Sequence, residues 1–149
     1  MKNSKLYYKI GAWAFALLGI IHLLAHLSMP QTTEQITLAQ SMEQFKVNLF
    51  GSGTNVLDFY NGFSIIMGFA LLSYGLLNLF LIKYNYSSAS NFRPILLLNS
   101  LVAIVTCILS IHFFFIIPPI LFTGIASLAF ILAYIMSYKE EASLTAGNL

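Results

Sequence analysis

The side chains in this sequence that could do chemistry are three histidines, and all of them lie inside long apolar stretches. His22 and His26 stand in the first stretch and His112 in the third. An ionisable side chain in hydrocarbon costs about 2.5 kcal/mol or more when charged, so it usually faces a helix-bundle interior and often marks a site. Positions i and i+4 of a helix lie about 5–6 Å apart at Cβ, so His22 and His26 could share one metal ion or one polar ligand.

A metal ion would need more ligands than these two histidines. Asp58, Glu43 or His112 would have to complete the set, and a metal ion is left open on this basis. A haem held by two histidines of the first and third stretches would need His112 to face inward. At about 100° per residue, however, His112 points away from the polar side of its own helix, so the pattern argues against haem. That polar side consists of Asn99, Thr106 and Ser110.

The composition is that of an integral membrane protein. The 149 residues are 58% hydrophobic and 8% charged, whereas soluble domains average about 25% charged residues. We expect one domain, residues 1–149, in a lipid bilayer. The net charge of +2, without a basic run interleaved with aromatic residues, argues against nucleic acid as a partner. Cys107 is the only cysteine, so no intrachain disulfide can form.

Four stretches approach or exceed the length of about 20 residues that a membrane-spanning helix needs. They cover residues 10–29, 59–82, 95–117 and 120–137. The first is longer than the apolar segment of a signal peptide and is not followed by a cleavage pattern, so we predict an uncleaved helix. Pro118-Pro119 should break the helix after the third stretch and leave almost no loop, which makes the last two spans antiparallel neighbours. The fold class predicted is an all-α bundle of four transmembrane helices.

The first loop should hold a short amphipathic helix over residues 33–50. Thr32 and Gln35 match a capping box at its start, and Gly51-Ser52-Gly53 would end it. Such a helix could lie on the outer leaflet or cap the mouth of the bundle. Its apolar stripe is Ile36, Ala39, Met42, Phe45 and Leu49.

Small and polar residues form stripes along three spans, which predicts close helix packing. The first span has Ala12, Ala16, Gly19, Leu23 and His26, with His22 at the edge; the second has Asn61, Ser64, Gly68, Leu71, Gly75 and Asn78; the fourth has Ala129, Ala133 and Ser137. Both histidines therefore belong on the inward face. The outer ends of the first two spans would meet in a candidate ligand-binding pocket. Its predicted residues are His22, His26, Asp58, Asn61 and Ser64, with His22 and His26 as candidate metal ligands.

Several functions agree with this pattern. No phosphate loop, zincin motif or nucleophile elbow is present, so the leading hypothesis is a non-enzymatic protein with an assembly or accessory role, as a homo-oligomer or beside another membrane protein. The alternative is that the pocket binds a metal ion, a proton or a small amphiphilic ligand, and whether it does catalysis is left open. A transporter of four helices would need oligomerisation, and no inverted repeat is visible.

Two short segments resemble a group of small bacterial four-helix membrane proteins of unassigned function. They are Gly19-Ile20-Ile21-His22-Leu23 and Asp58-Phe59-Tyr60-Asn61-Gly62-Phe63-Ser64. Members of that group pair a Gly-x-x-His helix with a Tyr-x-Gly-Phe entry to the second helix. The resemblance implies the four-helix fold and a bacterial inner membrane, and it supplies no reaction, substrate or cofactor.

The positive-inside rule predicts that both termini are cytoplasmic. Basic residues of the two ends and the second loop share one side of the membrane, and only Lys46 lies on the other; the shared set is Lys2, Lys5, Lys9, Lys83, Arg93 and Lys139. A reporter enzyme fused after Leu149 should therefore be active in the cytoplasm, and one inserted at Ser52 should be active outside. External activity of the Leu149 fusion would contradict this orientation.

Overall fold

The chain folds as four long helices with a small helix-and-hairpin insertion between the first two. The computed structural model describes residues 2–28, 32–49, 51–84 and 89–146. Four helices in these ranges are long and apolar enough to cross a membrane, which confirms the predicted all-α four-helix fold. The elements are α1 (Lys2–Ser28), α2 (Thr33–Gln44), β1 (Lys46–Leu49), β2 (Ser52–Asn55), α3 (Val56–Tyr84), α4 (Ala89–Leu109), a π-helical turn (Ser110–Phe114) and α5 (Ile117–Ala146).

Helix α1 is the centre of the bundle. It packs against α3 on one side and α5 on the other, and α4 packs against α5, so the prediction that the last two spans are neighbours is confirmed. The bundle has two distinct ends. We call the end with Ser4, Arg93 and Glu140 the terminal end, and the end with α2 and the β1–β2 hairpin the loop end.

The contact between α1 and α3 brings backbone against backbone. A Cβ atom added at Gly75 would lie 2.7 Å from the carbonyl oxygen of Ala12, and one added at Gly19 would lie 2.7 Å from that of Gly68. Ala12 and Ala16 are fully buried. Helices in lipid gain little from hydrophobic burial and associate through such close van der Waals contact. The small-residue stripes predicted on these two spans are therefore confirmed as the packing surface.

A buried polar network joins three helices near the terminal end. The Tyr8 hydroxyl donates to Oδ1 of Asn78, and the Tyr74 hydroxyl donates to Oδ1 of Asn99 at 2.5 Å. The Asn99 amide donates to the Ile95 carbonyl at 2.8 Å and to the Tyr8 hydroxyl at 3.5 Å. The Asn78 amide donates to the carbonyl of Tyr74. Each side chain in the network has a hydrogen-bond partner. The network therefore links α1, α3 and α4 without leaving any of its own buried polar groups unpaired.

Charged residues fasten α5 to its neighbours at the same end. The Glu140 carboxylate accepts hydrogen bonds from the backbone N–H of Ser4 at 3.1 Å and from the Ser4 hydroxyl at 2.8 Å. It therefore caps the positive N-terminal end of α1. Arg93 of α4 pairs with Glu141 and places its guanidinium 3.8 Å from the ring centre of Tyr138.

The first loop corrects one prediction in part. The Thr32–Gln35 capping box is present at the start of α2, but this helix ends at Gln44 and does not continue to residue 50. Residues 46–49 instead pair with residues 52–55 in an antiparallel hairpin. The alternation of Lys46, Val47 and Asn48 suits a strand, and Gly51 supplies the positive φ of 86° at the turn.

The connection between α4 and α5 corrects another prediction. Pro118 and Pro119 do not end the third span, because they lie in the first turn of α5, which begins at Ile117. Proline is tolerated there because the first N–H groups of a helix have no intrahelical partner. The third span ends through the π-helical turn, after which Phe115 adopts a left-handed φ of 43°.

The α1–α3 contact predicts different effects of two glycine-to-alanine variants on the free energy of unfolding. Gly75→Ala should lower the free energy of unfolding by about 2 kcal/mol or more, because its Cβ would meet backbone that cannot yield easily. Gly124→Ala on α5 is the matched control, since a Cβ there meets nothing within 4 Å. It should be neutral or stabilising by up to about 1 kcal/mol. Unfolding in mixed micelles measures both, and equal effects would contradict the proposed packing.

Candidate functional site

A cavity of about 720 Å³ opens at the loop end of the bundle. Its walls come from α1, α2, α3 and the start of α5, a volume and setting typical of small-molecule sites. Most lining residues are aliphatic or proline. The polar ones are His22, His26, Gln35, Tyr60, Asn61 and Ser64. Among the described residues, none that lines the cavity is Lys, Arg, Asp or Glu.

His22 is held in place by α3. Its Nε2 lies 3.1 Å from the carbonyl oxygen of Ser64 and 3.1 Å from the Ser64 hydroxyl oxygen. A hydrogen bond to the carbonyl oxygen needs the proton on Nε2, whereas a hydrogen bond donated by the Ser64 hydroxyl makes Nε2 the acceptor. The ring also packs on bare backbone, because a Cβ at Gly68 would lie 3.0 Å from its Cδ2. The close approach of α1 and α3 thus fixes the orientation of His22.

His26 and Asn61 line the same cavity and are both half-buried. Neither side chain has a hydrogen-bond partner among the described residues. Half-buried polar groups in a largely apolar cavity cost free energy unless something bonds to them. These two side chains are therefore available for a ligand that enters the cavity.

Asp58 does not line the cavity. It is exposed, and its carboxylate accepts a hydrogen bond from the Asn55 amide at 2.7 Å. Its backbone N–H donates in return to Oδ1 of Asn55, also at 2.7 Å. Asn55 precedes α3, so the two residues cap that helix reciprocally at spacing i, i+3, as in a capping box. This spacing was visible in the sequence, and it explains why the carboxylate turns toward Asn55 and away from the histidines.

The other candidate metal ligands also lie outside the cavity lining. Glu43 is exposed on α2, and His112 is exposed in the π-helical turn, with its ring edge-to-face on Phe113 at 4.6 Å. No group of three or more His, Cys, Asp or Glu side chains that could hold a metal occurs among the described residues. The site therefore offers two imidazoles, one of them already bonded through Nε2 to Ser64.

Helix α2 supplies a wall of the cavity that the predicted site lacked. Its contributing residues are Gln35, Leu38, Ala39 and Met42. The sequence placed the apolar stripe of this helix over Ile36, Ala39 and Met42, and only the last two of these face the cavity. The helical spacing of 35, 38, 39 and 42 was the available signal. Helix α2 therefore lies at the mouth of the bundle, which is one of the two locations that its sequence allowed.

Comparison of the chain with protein-family models, curated proteins and solved structures finds no match.

Proposed function

We propose that this integral membrane protein is a non-enzymatic binding protein that holds a small, uncharged amphiphile in its loop-end cavity. The observation that carries the proposal is the lack of hydrogen-bond partners for His26 and Asn61. Both are polar, half-buried and unpartnered among the described residues, and both line one largely apolar cavity. The head group of an amphiphilic ligand would form hydrogen bonds with these two side chains. Its apolar tail would fill the apolar part of the cavity.

The absence of charge in the described lining selects the class of head group. An ionised carboxylate or phosphate in this cavity would lose water without gaining an opposite charge, which costs far more than burying a neutral polar group. A hydroxyl, ester or ketone can instead pair with the His26 imidazole and the Asn61 amide. The aliphatic wall, which includes Leu18, Ile21 and Leu38, would contact the tail.

A metal ion is a weaker candidate for the same site. Two imidazoles fall short of the three protein ligands usual even for catalytic zinc, and the bond between His22 and Ser64 would compete with coordination through Nε2.

The His22–Ser64 pair has the spacing of a nucleophile and its base, but not the arrangement. In such a pair the base accepts the hydroxyl proton, and a third group orients its other nitrogen. Here the Ser64 carbonyl oxygen lies as close to Nε2 as the Ser64 hydroxyl oxygen does, at 3.1 Å in each case, so the carbonyl competes with the hydroxyl for Nε2. No described residue is hydrogen-bonded to Nδ1 of His22. The pair therefore favours a binding role over hydrolysis.

An assembly or accessory role, as a homo-oligomer or with another membrane protein, is the second candidate function. The observation that favours it is the tip between α4 and α5, where Phe113, Phe115 and Ile117 are 70%, 83% and 78% exposed. Such an apolar tip can dock on a partner or enter the membrane interface.

For the orientation, we propose a bacterial inner membrane with both termini in the cytoplasm, so that the cavity opens toward the outer leaflet. Basic residues at the terminal end support this orientation, and the resemblance to small bacterial membrane proteins supports the compartment.

Two ligands with the same acyl chain test the proposed selectivity. Monolauroylglycerol is uncharged and laurate is anionic, and only the former should raise the unfolding midpoint strongly. A ligand at one hundred times its Kd adds about 2.7 kcal/mol to the free energy of unfolding. His26→Leu should weaken monolauroylglycerol binding about tenfold, as expected for the loss of one buried hydrogen bond.

His112→Leu is the matched control, because it removes an exposed histidine outside the cavity. It should leave binding unchanged. Equal stabilisation by laurate, or equal weakening by His112→Leu, would contradict the proposal. If neither ligand stabilises the protein, the assembly role becomes the better account.

A further inference from the structure

A second concave surface lies on the outside of the bundle, between α1 and α5. It is a groove of about 460 Å³ whose lining is apolar except at one position. Lys9, Trp13 and Leu17 line its α1 side, and Phe122 and Ile125 line its α5 side. The groove lies outside the helix core, and its residues have no part in the loop-end cavity.

Among the described residues that line the groove, Lys9 is the one charged residue, and it lies one turn from Leu6, which lines the end nearest the N-terminus of α1. Lys9 is exposed and forms no ion pair with any described residue. No acidic residue among those described lines the groove. A lysine near a helix end extends its ammonium toward the membrane interface while its stem stays along the apolar surface. The charge is therefore free to pair with an anion at head-group depth.

The part of the groove between Lys9 and Leu17 fits within one leaflet. Lys9 and Leu17 are eight positions apart, which corresponds to about 12 Å along a helix with a rise of about 1.5 Å per residue. One leaflet contributes about half of the 30 Å hydrocarbon core. Trp13, whose side chain is half-exposed, lies between these two positions. Its amphipathic ring suits the level at which acyl chains join the head group.

We propose that this groove binds one acyl chain of an anionic phospholipid, with the Lys9 ammonium paired to the lipid phosphate. The site is independent of the ligand proposed for the loop-end cavity. An anionic lipid is favoured over a zwitterionic one because the groove presents a cation and no described anion that could attract a positively charged choline.

Trp13 is the only tryptophan of the chain, so its fluorescence reports directly on the groove. The full chain is reconstituted in phosphatidylcholine vesicles that contain either phosphatidylglycerol or phosphatidylcholine with brominated chains, at equal mole fraction. Brominated phosphatidylglycerol should quench Trp13 with an apparent affinity about fivefold higher, the equivalent of about 1 kcal/mol for one lysine near an anionic head group. Lys9→Gln should bring the ratio close to one.

Lys83→Gln is the matched control, since Lys83 is exposed near the same end of the bundle but lies on α3. It should keep the preference for phosphatidylglycerol. Equal quenching by the two lipids in the unmodified protein, or an unchanged preference in Lys9→Gln, would overturn the proposal. A loss in Lys83→Gln as large as that in Lys9→Gln would also overturn it, because the preference would then reflect general surface charge.

Discussion

The backbone contact between α1 and α3 determines how closely these two helices pack and how α1 is rotated in the bundle. Gly19 and Gly75 let the two helices approach to a distance that a single methyl group would block. In lipid, such contact replaces the hydrophobic drive that packs soluble helices. It also sets the rotation of α1, so that the inward stripe of this helix carries His22 to Ser64 and His26 to the cavity. The opposite side of α1 packs against α5 and contributes Lys9 and Trp13 to the second groove.

The two ends of the bundle differ in how their polar groups are satisfied. At the terminal end, Tyr8, Asn78 and Asn99 bond to one another or to backbone, and Glu140 caps α1. At the loop end, His26 and Asn61 have no such partners among the described residues. A polar network in which every hydrogen bond is made adds rigidity and specifies one arrangement of the helices. Half-buried polar groups without a partner can still form hydrogen bonds to a ligand. This contrast places the candidate ligand site at the loop end.

The sequence predicted those features that depend on composition and helical period. The four spans follow from their apolar length, and the stripes of Ala16, Gly19, Gly68 and Gly75 follow from the 3.6-residue repeat. The same repeat placed His22 and Ser64 on facing sides. The features that the sequence did not predict depend on competition between alternative local hydrogen-bond partners and backbone conformations. Asp58 has a nearer partner in Asn55, and the turn at Gly51 favours a hairpin over continuation of α2. The wall that α2 supplies required the tertiary structure, because a short helix can present more than one face to the bundle.

The α1–α3 contact presents His26 to a ligand-sized cavity, while His112 stays outside it. Nitrogen-15 NMR of the histidine side chains can measure this difference, with the three signals assigned through single leucine variants. Titration with monolauroylglycerol should shift the His26 imidazole signals in a saturable manner and leave those of His112 in place. If the His26 signals stay fixed when the lipid phase is saturated with this ligand, or if only the His112 signals move, His26 does not belong to a ligand site.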